Sequence, residues 1–504
     1  MTPGALAALA ERALKWSAAT TFARFVLQFA AQVALARILG PDNYGVYGIG
    51  IAVLTFVAFL SGSSFSWNLM LLPVVDDDDI RFSFTWQLIV GSGCALAMYA
   101  AAPALAVFFG DARVEGMVQL LSIASLLTAA SAPATCLLQR DLNFRLLGLI
   151  QLASYATGYL AVGVPMALYG WGPYALGTAA VVQAAVVLLT SYAVRPHPVR
   201  PLFSHAGGAA ALATGRTVFV TNVVNWFLSN IDRVLIARVL NAQAVGLYNV
   251  AYNLASIPST LLLGALQPTF LAAGARLQDD AQRLGQAWRM ALSSVLVLAL
   301  PAGVVFALLS ADLVQVLYGD AWSQSAWVLG VLFLCLPAWA CWGISTPVLW
   351  NTGRKHLEYM LQLPLLAIAL PAWWIVAPSG IRAIATVSAL VLFARAAVIV
   401  TAALRALGLR WQVVAVPLAR GAGLAAACAI AVVTGQQAAA GSTLPGMALA
   451  AGSAGALAVL LLVLGVWPQL LGAEARGVLA RFLPFLGTRP GTPFGARPEG
   501  LPRS

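Results

Sequence analysis

The sequence predicts an all-α polytopic membrane protein: about fourteen transmembrane helices, forming two six-helix lobes followed by two further helices. Three observations predict it. Charged residues are 9% of the 504 residues and apolar residues 61%, where a soluble chain carries about 25% charge. Fourteen apolar runs are long enough for the roughly 20 residues that cross a bilayer core. They cover 17–39, 45–70, 84–108, 117–138, 147–169, 173–194, 217–239, 246–270, 290–309, 326–349, 359–378, 383–404, 412–434 and 443–466. Finally, one stretch near the start returns without a gap 201 residues later. Unbroken apolar runs, as opposed to short alternating ones, give helices and not a barrel.

The repeat is specific. Residues 33–48 (VALARILGPDNYGVYG) return as 234–249 (VLIARVLNAQAVGLYN). Ala36, Arg37, Leu39, Gly45 and Tyr47 recur as Ala237, Arg238, Leu240, Gly246 and Tyr248. A second echo pairs Phe108-Phe109-Gly110-Asp111-Ala112 with Leu317-Tyr318-Gly319-Asp320-Ala321, and a weaker third pairs Gly172 and Ala175 with Gly380 and Ala383. Membrane proteins built from two similar halves usually move one against the other around a site between them. Gly40-Pro41-Asp42-Asn43 spells a tight reversal after the first span, with Gly45 opening the next. Tyr47 and Tyr248 read as packing or interface aromatics.

Lysine and arginine set the orientation. With the N-terminus inside, 20 of the 28 fall on cytoplasmic segments, two (Arg113 and Arg382) on the opposite side and six within spans. That asymmetry places both termini in the cytoplasm. The acidic run Asp76–Asp79 does not disturb it, since carboxylates contribute little to orientation. The expected organisation is a cytoplasmic amphipathic segment (1–16), an N-terminal lobe (17–194), a cytoplasmic inter-lobe loop (195–216) and a C-terminal lobe (217–404). Two additional spans (405–466) and a cytoplasmic tail (467–504) follow. The tail is rich in Pro, Gly and Arg, which predicts disorder and contact with anionic headgroups.

Some function classes are disfavoured. The net charge of +11 is spread over eight separate segments, which argues for membrane topology and against nucleic acid. Phosphate-binding glycine loops, hydrolase elbows and zinc motifs do not occur, so no catalytic residue, metal or cofactor is expected. The five cysteines lie within spans without ligand spacing and read as small packing residues. No span-free stretch is long enough for the sugar-binding domain of a glycosyltransferase.

The candidate site residues form stripes. The first span carries Thr21, Arg24, Gln28 and Gln32, spaced 3, 4, 4 and hence on one helix face. At the same offset the seventh span carries Asn222, Asn225, Ser229 and Arg233, with Asp232 beside the last. Arg395 and Arg420 lie inside later spans. A charge at the bilayer centre costs at least about 2.5–3.5 kcal/mol. Such groups face a water-filled cavity or form hydrogen-bonding seams between helices; both readings stay open. Six arginines against one carboxylate within the spans suit an anionic substrate, and the arginine fork suits phosphate. Arg37 and Arg238, at the outer ends of their helices, are expected to snorkel to headgroups.

With ARILGPDNYGVYG and the two halves in hand, the chain resembles the Wzx-type or teichuronic-acid-exporter-like polysaccharide flippases. These belong to the multidrug/oligosaccharidyl-lipid/polysaccharide exporter superfamily. Asp232-Arg233-Val234-Leu235-Ile236, Gly246-Leu247-Tyr248, Gln139 to Arg145 and Tyr318-Gly319-Asp320-Ala321-Trp322 carry the rest of the likeness, over roughly residues 15–405. The resemblance implies a two-lobed helical fold around a central cavity in the bacterial inner membrane. It implies a substrate of undecaprenyl-diphosphate-linked oligosaccharide, moved from the cytoplasmic to the periplasmic leaflet for exopolysaccharide, O-antigen or capsule synthesis. Polysaccharide polymerase and chain-length proteins are the partners it suggests, besides membrane lipids. Other members place cation-site carboxylates in the N-terminal lobe. This chain has none within those spans, which argues against direct cation coupling there. The alternatives are a multidrug/cation antiporter, for which only Asp232 supplies an intramembrane carboxylate, and a membrane glycosyltransferase or polymerase.

The orientation predicts that reporter fusions at 200 and 280 report cytoplasm, and those at 112, 318 and 439 the opposite side. A periplasmic signal at 200 would refute it.

Overall fold

The computed structural model describes the backbone of residues 3–61, 66, 69, 75–204, 215–275, 280–439 and 446–466. Side chains are described for most of these, but not for 3–15, 17–19, 59–61, 215–222, 262, 264–269, 271–273, 275, 281 or 464–466. The expected tail at 467–504 lies outside the described residues.

Helix α1 (3–39) and helix α2 (41–61) form one run, Pro3–Ser61, broken at Gly40 (φ 72°, ψ 172°). No Gly or Pro occurs between residues 5 and 39. The segment expected as a separate amphipathic helix therefore continues into α1 without interruption. At Gly40 a positive φ is needed, and Pro41 then starts α2 in the position proline prefers. The Gln32 side chain donates to the Tyr44 hydroxyl at 2.8 Å. Twelve residues of straight helix would separate those two by about 18 Å, so the chain reverses here as its turn residues predict.

Helix α3 (Asp77–Phe109) opens on a capping box. The Asp79 amide donates to Asp76 Oδ1 at 2.7 Å, and the Asp76 amide donates to Asp79 Oδ2 at 3.1 Å. The acidic run thus serves the positive end of the helix dipole. Gly110 (φ 71°) closes it in the left-handed conformation. Helices α4 (Arg113–Arg140) and α5 (Phe144–Leu168) follow; within α5, Ala156–Gly163 winds as a π-helix. Then come α6 (Tyr174–Val194), α7 (Gly215–Val239), α8 (Ala242–Ala275), α9 (Ala281–Leu308) and the short α10 (Ser310–Tyr318). Helices α11 (Gln324–Leu334) and α12 (Leu336–Asn351) meet at a 42° bend. Pro337 there has no N–H to give the Phe333 carbonyl, which releases one rung of the helix ladder. Helices α13 (His356–Val376), α14 (Ile381–Leu407), α15 (Gln412–Ala439) and α16 (Met447–Val466) complete the chain.

Every predicted apolar run overlaps one of these helices, the tenth being divided between α11 and α12. Among the described residues, nine helices are long and apolar enough to cross a membrane, or ten if the bent pair counts as one span. The chain is a multi-pass membrane protein.

Two compact units arise. The first holds 1–254, 314–328 and 359–391; the second holds the rest of the described chain. The first therefore draws on both predicted lobes. In it, α4 packs against α3 and α6, and α1 against α5. Val114, Met117, Val118 and Leu121 of α4 and Ala175, Leu176 and Ala179 of α6 are buried. In the second unit α15 lies against α9, and α16 against α15. Their core includes Val297, Leu424, Cys428 and Val463. A Cβ at Gly421 would stand 2.7 Å from the Leu296 carbonyl oxygen. Small residues thus bring backbones together where lipid offers no hydrophobic drive.

Polar contacts secure the ends of the helices. Arg113 grips both oxygens of Asp42, at 2.6 and 3.1 Å, and Asp111 at 2.8 Å. That guanidinium holds the Asp111 carboxyl below its usual 3.8. On the arginine-rich side, the segment 195–204 is tied to α3. Leu202 N–H donates to Thr85 Oγ1 at 2.9 Å, Arg81 Nε to the Arg200 carbonyl at 3.1 Å and Trp86 Nε1 to the Phe203 carbonyl at 3.2 Å. His197 is buried beside the rings of Phe84 and Tyr192.

Burial disfavours the imidazolium and depresses the His197 pKa below 6.5. The unfolded form takes the proton first, so the anchor is at full strength above 6.5 and is lost as pH falls through the depressed value. Hydrogen exchange of the 195–204 peptide, corrected for its intrinsic pH dependence, should accelerate progressively as pH falls below 6.5. His197→Gln should remove that pH dependence; a wild-type segment equally protected at pH 5 would contradict the assignment.

Candidate functional site

The helical spacing of the α1 stripe turns much of it toward α5. Arg24 is half-buried, and its Nη1 donates to Gln151 Oε1. One turn on, Gln28 is half-buried, and its backbone carbonyl accepts a long 3.5 Å bond from the Tyr155 hydroxyl. Gln32 is half-buried and committed to Tyr44; Thr21, at the other end, is exposed. The stripe is therefore in part a seam. Gln151 gives Arg24 a neutral amide partner, and among the described residues the other guanidinium N–H groups have no protein acceptor. A guanidinium offers five donors, so the fork keeps most of its capacity.

On α7 the stripe is more fully tied down. Asn222 stands on the helix, but its side chain is outside the described residues. Asn225 and Ser229 are half-buried. Asp232 is only 4% exposed. It accepts the Tyr248 hydroxyl at 2.5 Å, the Ser388 hydroxyl at 3.0 Å and the Arg233 backbone N–H at 2.8 Å. Ser388 in turn accepts the Trp373 indole N–H at 3.0 Å. Helices α7, α8 and α14 thus meet at one carboxylate, and α13 joins them through Ser388. Tyr248, read from sequence as a packing aromatic, is fully buried and also supplies this hydrogen bond.

Arg233 turns away from Asp232, as neighbours about 100° apart on a helix must. Its guanidinium lies over the Tyr252 ring at 3.9 Å, and Nη2 donates to the Ser229 carbonyl at 3.1 Å. Its Nε is buried without a protein partner. In the second unit, Arg395 is 3% exposed and lies over Trp342 at 4.0 Å. Arg420 is exposed on α15. The stripes of α1 and α7 belong to the first unit, Arg395 and Arg420 to the second.

Arg37 and Arg238 differ from expectation in detail. Both are exposed, yet each has a protein partner. Arg37 donates to the carbonyls of Leu317 (2.6 Å) and Val316 (2.5 Å), at the end of α10. Arg238 lies over the Phe108 ring at 5.4 Å. A helix end with unpaired carbonyls outcompetes headgroups for an arginine within reach.

Gln151, Tyr155, Tyr252, Trp342, Trp373 and Ser388 were not singled out in the sequence. Gln151 had a signal: it is a lone amide inside the apolar run 147–169. Ser388 and the aromatics had none, since each is common in membrane helices.

Removing the Tyr248 hydroxyl strips a donor from a buried carboxylate, which costs roughly 1–3 kcal/mol. Tyr248→Phe should therefore lower the unfolding temperature of the detergent-solubilised protein, and Asp232→Ala should lower it too, by orphaning two hydroxyls. A Tyr248→Phe protein as stable as the wild type would show that Asp232 does not depend on this bond.

Comparison with known proteins places this geometry. Residues 34–327 match the family described as polysaccharide biosynthesis protein. The succinoglycan biosynthesis transport protein ExoT of Rhizobium meliloti (strain 1021) is 28% identical over 391 residues, covering 77% of this chain and 75% of the relative. The teichuronic acid biosynthesis protein TuaB of Bacillus subtilis (strain 168) is 21% identical, with 68% and 72% covered. Among solved structures, the lipid II flippase MurJ in an inward closed conformation matches with a TM-score of 0.71 at 13% identity, covering 93% of this chain and 99% of that one. An inward-facing multidrug MATE transporter matches at 0.64 and 12%, covering 78% and 95%. The fold is that of these exporters, and the chain belongs to the polysaccharide biosynthesis protein family.

Proposed function

We propose that this protein is a flippase, not an enzyme. It carries an undecaprenyl-diphosphate-linked oligosaccharide from the cytoplasmic to the periplasmic leaflet of a bacterial inner membrane, for exopolysaccharide, O-antigen or capsule assembly. The names of its relatives support the substrate class, since they include a succinoglycan transport protein and a teichuronic acid biosynthesis protein. The observation that carries the reading is Arg24: a half-buried guanidinium in a membrane helix whose one protein partner among the described residues is a neutral amide.

The physics fits this cargo. The lipid tail is soluble in the bilayer as it stands, whereas a diphosphate and its sugars cannot enter hydrocarbon unaided. A hydrated path lined by Arg24, Gln28, Asn222 and Asn225, between lobes 17–194 and 217–404, would carry them by alternating access. A diphosphate oxygen pair would displace Gln151, because two charge-assisted bonds outweigh one bond to an amide. Inside-negative potential favours outward movement of a negative charge by about 2.3 kcal/mol per charge per 100 mV. Both termini would face the cytoplasm. A polymerase and chain-length proteins would receive the product. Arg395 and Arg420 add positive charge in the second unit.

The antiporter reading loses ground on one observation. The carboxylate it would rely on, Asp232, is already held by Tyr248, Ser388 and the Arg233 N–H. A cationic drug would have to displace all three.

Arg24→Ala should abolish export while the protein still inserts, and Arg24→Lys should be partly active, because a point charge replaces a two-pronged donor. Lipid-linked oligosaccharide accumulating in the inner leaflet is the measure. Normal export by Arg24→Ala would return the α1 stripe to a packing seam.

A further inference from the structure

The two copies of the repeated motif meet each other. Gly45 of α2 and Gly246 of α8 are equivalent positions of the repeat, as are Pro41 and Ala242. A Cβ added at Gly45 would collide with the Ala242 carbonyl, and one added at Gly246 would collide with the Pro41 carbonyl. Each such Cβ would also stand close to the backbone nitrogen of the other glycine, at 3.0 and 3.1 Å. The contact is reciprocal, so a local two-fold relation passes between Gly45 and Gly246. A third equivalent pair, Gly48 and Asn249, faces itself: a Cβ at Gly48 would lie 3.3 Å from Asn249 Cγ.

The arginines of the motif extend the same relation. Arg37, in the first copy, holds the carbonyl of Leu317, which opens the second copy of the other echo, and that of Val316 just before it. Arg238, in the second copy, lies over Phe108, in the first copy of that echo. Phe108 and Leu317 are equivalent residues. Each half therefore grips the turn region of the other half. Tyr44 of the first copy also meets Trp322, which follows the second echo, edge to face at 5.8 Å.

We propose that this crossing is the outer gate of the transport cycle: a reciprocal clasp that closes the periplasmic end and parts to release cargo. The proposal rests on the flippase reading and on the orientation set by the arginine-rich loops. A gate must shut tightly and open without large repacking. Backbone against backbone does this, since glycines interlock no side chains across the contact. The exposed arginine bonds are the kind that water can replace, so they hold the shut state without freezing it. Reciprocity makes release concerted: a rocking of one half against the other withdraws both arginines and both glycines together.

The test uses the full chain with its five cysteines replaced, in intact cells. Asn253→Cys, one helical turn inward of Asn249, reports access from outside to a membrane-impermeant maleimide. Gly45→Val or Gly246→Val should wedge the clasp and raise its labelling at least tenfold in the inserted protein. If neither inserts, Arg37→Ala with Arg238→Ala takes their place. Labelling needs no substrate, so it reads the clasp even if Arg24→Ala exports normally and the flippase assignment falls. In a second arm, Gly48→Cys and Asn249→Cys are joined by copper phenanthroline, with oxygen as oxidant. The cross-link should stop export, and reductant should restore it; labelling decides alone if the reduced variant is inactive. Unchanged labelling in inserted protein, or export through the cross-linked form, overturns the gate.

Discussion

A polar group inside hydrocarbon must find a partner, and the interior of this protein is organised around that constraint. A charge left unpaired there costs several kcal/mol. Asp232 meets it with neutral donors: the hydroxyls of Tyr248 and Ser388 and a backbone N–H. Arg233 and Arg395 meet it with aromatic faces, over Tyr252 and Trp342. Ring quadrupoles attract a cation without cancelling its charge. No ion pair links Asp232 to an arginine side chain among the described residues. The acid is satisfied locally, by neutral donors. A positive interior lowers the cost of admitting an anion and raises that of a cation.

Arg24 shows how such a charge is kept usable. Were it paired with a carboxylate, an incoming phosphate would have to break an ion pair and leave a buried carboxylate behind. Paired with Gln151, it gives up only a neutral amide, which can turn to other partners. The α1 stripe is at once a seam and a candidate site, because the same face that packs on α5 carries the guanidinium. The two readings of the sequence were posed as alternatives, yet a seam that leaves the guanidinium a neutral partner is compatible with either.

Much of this was legible beforehand. The apolar runs marked the helices, because length and hydrophobicity decide what a bilayer accepts. Gly40-Pro41 marked the reversal, because few residue pairs can make it. Legibility failed where partners come from distant helices. Nothing in the run 383–404 singles out Ser388, and nothing local says that Gln151 faces α1. The same limit hid the role of Gly45: as a helix opener it could be read from its neighbours, but its approach to Ala242 depends on where α8 lies. Arg37 was assigned to headgroups because the sequence cannot show that the end of α10 stands within its reach. The 42° bend at the α11–α12 junction and the π-helical turn of α5 likewise break the simple equation of one apolar run with one straight helix.

The duplication separates mechanics from chemistry. Two of the positions that recur identically, Arg37 with Arg238 and Gly45 with Gly246, make contacts across the two halves. A contact about a local two-fold relation constrains both copies equally, so neither can change alone. The stripe positions are under no such tie. Arg24 aligns with Asn225, Gln28 with Ser229, Gln32 with Arg233 and Ala31 with Asp232. The first half keeps a cation with a displaceable partner, and the second keeps an acid that is fully enclosed. The duplication thus repeats the contact between the halves and leaves the two stripes chemically different.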